Sequence, residues 1–201
     1  MRIQTTVAMM LAMAGNGLGG ERIPVYVNGG NIAAPVLAEA EDIASRILTT
    51  AGVRIVWRGG ATHPGENTGE QPAIVVDFPE HTAPGDHPGA IAYARPYEGV
   101  HIDVLFDRMQ KVQGRLRPVL LGHVLAHELT HLLEAGVHHS ATGVMKAQWD
   151  LNDYCQMLRT PLAFAADDIG MIQRGIEARG EHAKSSFPAA PAIISGQELP
   201  E

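Results

Sequence analysis

Short apolar runs and longer stretches of helical periodicity alternate along this chain. Ile23-Pro24-Val25-Tyr26-Val27 reads as a strand, with Pro24 near its start. In residues 34–51, Leu37, Ala40, Ala44, Ile47, Leu48 and Ala51 return at helical spacing, and Gly52 supplies the stop. Val53, Ile55 and Trp57 then fall on one face of a second strand. Residues 73–78 form an apolar strand between Gly- and Pro-rich loops at 59–72 and 79–89. Two further strands are expected at 90–94 and 100–106, the second with Val100, Ile102, Val104 and Phe106 on one face. The turn residues at 96–99 make these two a hairpin.

The second half is helical. Pro118 stands where a helix tolerates the missing N–H, the apolar pattern runs to Glu134, and Gly136 is placed to end the helix. A last helix is expected over 162–178, beginning near Asp167-Asp168. The polar, Pro- and Ala-rich residues 181–201 read as a disordered tail. No internal repeat is present.

Composition narrows the picture. The 201 residues are 45% hydrophobic and 18% charged, which is one domain with enough apolar surface for a core. The net charge is −7 and Lys and Arg are scattered, which argues against nucleic acid or an anionic membrane surface as partner. One cysteine, Cys155, cannot make an internal disulfide and is expected to be a free buried thiol. Residues 1–20 carry Arg2, a short apolar run at 7–14 and small residues at 15–20, the pattern of a signal peptide. That run is too short to span a membrane. The expected organisation is a signal peptide at 1–20, one folded domain at 21–180 and the tail at 181–201, in a monomer that is secreted or periplasmic.

One motif carries chemistry. His127-Glu128-Leu129-Thr130-His131 is H-E-x-x-H on the strongest helix of the chain. Residues four apart lie one above the other, so His127 and His131 can present two imidazoles to one ion. Glu128 is turned about 100° from His127, by helix geometry, within reach of a metal-activated water. A helix this apolar holds two histidines and a glutamate only if all three are satisfied. The bland alternative is that hydrogen bonds alone satisfy them. Catalytic zinc takes three protein ligands, so a third must come from beyond Gly136. His138 and His139 are adjacent candidates, and Asp150 and Asp153 are weaker ones. His123, one turn before His127, reads as a packed or exposed histidine.

The run from His127 through Gly136, His139-Ser140 and Gly143-Val144-Met145 resembles the metzincin metalloproteases. The likeness covers roughly residues 119–175. It implies an α+β fold: a mixed twisted sheet packed on an N-terminal helix and an active-site helix, with a C-terminal helix after a methionine-containing turn. It favours His139 over His138, because His-Ser at this point is similar to the matrixin branch. It makes Met145 the Met-turn residue. It implies Zn2+ bound by His127, His131 and His139, with Glu128 as general base in the hydrolysis of peptide bonds, and a peptide or protein as substrate. By the same likeness, residues 90–94 are the edge strand along which a substrate lies. The spacing departs from the family pattern, because Glu134 and Val137 stand where Gly and His are expected. The turn out of the helix must therefore be longer by two residues. Two rivals remain open. A third ligand from a downstream glutamate finds no convincing helix to carry it. A catalytically inactive zinc-binding or interaction domain on the same scaffold has no use for Glu128.

Overall fold

The alternating run that begins at Arg22 is an inner strand of a five-stranded sheet. The computed structural model describes residues 22–30, 32–60, 72–82, 89–95, 98 and 100–185. The readings made for residues 1–20, for most of the loops at 59–72, 79–89 and 96–99, and for the tail beyond 185 lie outside the described residues. Strand β1 (Arg22–Asn28) pairs in parallel with β2 (Arg54–Gly59) on one side and with β3 (Ile74–Asp77) on the other. Pro24, which has no N–H to give, lies before the pairing with β3 begins at Val25. Strand β4 (Ala92–Ala94) is followed by β5 (His101–Val104), which continues the parallel sheet beside β3. Strand β4 closes the edge as the antiparallel partner of β5, the expected hairpin. The order is β2-β1-β3-β5-β4.

One face of this sheet is apolar and covered. Ile23, Val25, Val27, Ile74, Val76, Ile102 and Val104 are buried, while their neighbours Tyr26, Val75, Asp77, His101 and Asp103 are only half-buried. The period of two sorts the residues between helices and solvent. The cover is α1 (Ala34–Thr49) and α2 (Leu116–Glu134), packed side by side. They approach so closely that a Cβ on Gly122 would stand 2.7 Å from Ile43 Cβ and 2.8 Å from the Ala40 carbonyl oxygen. Every residue of α2 from Pro118 to Leu133 is buried, so this helix is enclosed on all sides.

Four details differ from the sequence reading. Phe106 is not in β5; it begins a 3₁₀ turn, Phe106–Met109. A short helix, α3 (Leu151–Met157), was not expected; Asp150 and Asp153 form a capping box at its start. The last helix, α4, is Ala166–Ser185, beginning four residues later and ending seven later than the periodicity implies. Residues 162–165 stay extended because their backbone is used elsewhere: Leu162 N–H donates to His123, and Ala163 C=O accepts from Val144. Cys155 is on α3 and exposed, not buried, since α3 turns only Met157 into the core. Among the described residues no helix is long and apolar enough to cross a membrane.

Candidate metal centre

The site forms where α2 meets the chain that returns after it. Helix α2 ends at Glu134, and Ala135 takes the left-handed conformation (φ 51°, ψ 41°) expected at Gly136. Gly136 N–H then closes on the His131 carbonyl at 3.1 Å. This turn sends residues 136–140 back across the face of α2 that carries both histidines. One candidate ligand atom each from His127, His131 and His139 lies within 4.8 Å of the others, and this group could hold a metal ion. His138 is not in the group. Its Nε2 lies 3.5 Å from Ser140 Oγ and 3.9 Å from a carboxylate oxygen of Asp168. Asp150 and Asp153 are also elsewhere, both paired with Lys146 at 2.7 and 2.6 Å.

The hydrogen bonds decide which nitrogens are available. His127 Nδ1 is 2.9 Å from the Val144 carbonyl oxygen, and His131 Nδ1 is 3.1 Å from that of Gly136. A carbonyl can only accept, so each Nδ1 carries the hydrogen and each neutral ring keeps a lone pair on Nε2. Those two Nε2 atoms face each other at 3.0 Å. Two lone pairs at this distance repel unless a cation lies between them. A proton is a poor candidate. Burial lowers the pKa of His127, and burial together with the neighbouring His127 and His139 lowers that of His131 to about 3. Burial, with His138 adding to it, also lowers His139. The donor set of neutral imidazoles, two of them fixed by hydrogen bonds from the far nitrogen, fits zinc.

Glu128 lies one residue round the helix, 8% exposed. Burial raises its carboxyl to about 7, against a lowering contribution from a hydrogen bond with the backbone of Ala94. The geometry of β4 explains that contact. Arg95 N–H donates to His101 and Leu105 N–H to Ile91, so the backbone groups of Ala92 and Ala94 face away from β5. Among the described residues no strand pairs with this side of β4, which faces a cleft of about 570 Å³ lined also by His127, Glu128, His131, His139, Trp149 and Tyr154.

The floor beneath the histidines is tied to the same elements. Met145 and Val144 are fully buried, and the Val144 carbonyl is the partner of His127. Trp149 sets its ring edge-on to His127, with centroids 5.7 Å apart. His123 is packed and saturated: Nδ1–H donates to Val119 C=O at 2.7 Å and Nε2 accepts from Leu162 N–H at 3.0 Å. Burial lowers its pKa, which suits this neutral form. Asp168, read from sequence only as a helix start, is fully buried beside the His139 segment.

No family model matches the chain, and no curated protein matches it. Solved structures do. The chain is similar to archaemetzincin from Methanopyrus kandleri at 16% identity and a TM-score of 0.51, over 82% of this chain and 99% of that one. The fold is metzincin-like. A second neighbour, myroilysin, aligns at 15% identity and a TM-score of 0.35, over 74% of this chain and 71% of that one. The expected mixed sheet, helix pair and C-terminal helix are therefore all present on a metzincin-like scaffold.

Proposed function

We propose that this chain is a zinc-dependent endopeptidase, with His127, His131 and His139 as metal ligands and Glu128 as general base. The observation that carries the reading is the pair of Nε2 lone pairs opposed at 3.0 Å, beside a third imidazole and a buried carboxyl at about 7. Zinc held there would polarise a peptide carbonyl and make a water easier to deprotonate.

The remaining steps belong to the chain. Glu128 takes a proton from the attacking water and passes it to the leaving amine. A base near neutrality suits both directions of transfer. The outward backbone groups of Ala92 and Ala94 hold an extended peptide as an added strand. The partly buried rings of Trp149 and Tyr154 form apolar walls that exclude water around it. Met145 would be the Met-turn residue, and the His139-Ser140 pair supports placement near the matrixin branch. A secreted or periplasmic setting follows only from the pattern of residues 1–20.

The test is metal-dependent cleavage of an unfolded protein. The purified chain is stripped by a chelator, assayed, reloaded with zinc and assayed again. Cleavage should vanish and return. Bound zinc without any cleavage would turn the reading toward a non-catalytic zinc domain. No zinc binding at all would end it.

A further inference from the structure

Two of the three clustered histidines have their rings oriented by a hydrogen bond from Nδ1 to a carbonyl. His139 is the exception. It is exposed, and none of the hydrogen bonds among the described residues involves its ring. Its ring stacks on His127 with centroids 5.3 Å apart and meets His131 edge-on at 4.9 Å, and the backbone on either side delivers it there. On the far side is Ser140, held twice: its N–H donates to Met145 C=O at 2.8 Å, and its hydroxyl donates to Asp168 Oδ1.

Asp168 is an unusual anchor. Its side chain is fully buried, and a buried carboxylate is expensive unless donors surround it. The second oxygen accepts Ala165 N–H at 2.8 Å, which closes the first turn of α4. The other is given to Ser140, 28 residues earlier in the chain. Helix α4 is itself fixed against α2, the helix of His127 and His131. A Cβ on Gly175 would overlap the Leu133 carbonyl, so the two backbones touch there. The path closes: α2 fixes α4, α4 carries Asp168, Asp168 holds Ser140, and Ser140 holds the backbone of His139.

We infer that Asp168, acting through the Ser140 hydroxyl, is the positioning residue for His139. The inference rests on the metal reading above. It assigns Asp168 to metal retention, beyond capping α4.

The experiment measures zinc dissociation constants by chelator competition, with thermal unfolding of the metal-free chains beside them. Ser140→Ala deletes the hydroxyl, Ser140→Thr keeps it, and Asp168→Ala removes both acceptor oxygens. Ser140→Ala should weaken zinc roughly 10- to 100-fold, with metal-free unfolding close to wild type. Ser140→Thr should bring affinity back. Asp168→Ala should weaken zinc at least as much, and adding Ser140→Ala to it should change little, because both act along one path. Wild-type affinity in Ser140→Ala overturns the inference, as does weakening that Ser140→Thr fails to restore. If Asp168→Ala does not fold, the two Ser140 variants decide alone. A wild-type chain that binds no zinc overturns the metal reading and this inference together, whereas zinc held equally by wild type and Ser140→Ala overturns this inference only.

Discussion

Glu128 on α2 and Ala94 on β4 line the same cleft, and the Ala94 backbone works against the burial that raises the Glu128 carboxyl to about 7. That neighbourhood fixes what a conservative substitution should do. Glu128→Gln keeps the side-chain size and an acceptor oxygen toward β4, so the fold and zinc content should match wild type. The proton transfer is lost, which should lower kcat by about 10²- to 10⁴-fold. Steady-state kinetics on an unfolded protein substrate, with metal analysis of the same samples, checks both halves. A variant that keeps wild-type kcat removes Glu128 from the mechanism.

The third ligand yields a sharper contrast. His139→Ala should lose most of its zinc, because two imidazoles on one helix leave the coordination incomplete. His138→Ala should keep it, since that ring is turned toward Ser140 and Asp168 instead. Metal content by elemental analysis decides. Loss in His138→Ala alone would reverse the assignment.

Much of this arrangement was legible in the residues, for identifiable reasons. Helix α2 announces itself because its apolar run is long and the two histidines keep a four-residue spacing on it. The strands β1, β3 and β5 are buried on one face, and period-two alternation records that directly. Helix α3 was missed because it is short and mostly exposed, so no periodicity marks it; the available signal was Asp150 followed three residues later by Asp153. The start of α4 was misplaced because Leu162 and Phe164 are buried from an extended segment, and burial alone does not distinguish that from a helix turn. The role of Asp168 is invisible locally, since its partner Ser140 is remote in sequence.

The turn after α2 predicts a stabilising substitution. The left-handed residue is Ala135, with Gly136 one position late for that duty. An L residue loses roughly 1–2 kcal/mol in this conformation, and glycine gives back about 0.5–1 kcal/mol through its freer unfolded chain. Ala135→Gly should therefore gain about 0.5–1 kcal/mol, read from the urea midpoint at unchanged slope. A lower midpoint would mean that the alanine methyl makes a contact worth more than the strain.

The last turn of α2 also predicts a pH effect on stability. Both carboxylate oxygens of Glu134 are buried and have no hydrogen-bond partner among the described residues. Burial, and then the charge of Asp168, raises its carboxyl from 4.5 to about 7. The folded chain therefore binds this proton more tightly than the unfolded chain does. Between about 4.5 and about 7 the folded state is the more protonated one, so stability falls as pH rises through that window. Glu134→Gln removes the charge and with it this part of the slope. Glu128 titrates in the same direction, so wild type and variant share that background, and the informative quantity is their difference. Melting temperatures of the metal-free chains should draw apart in favour of Glu134→Gln as pH goes from 5 to 8. A difference that stays constant over this range would show that Glu134 does not carry the raised pKa.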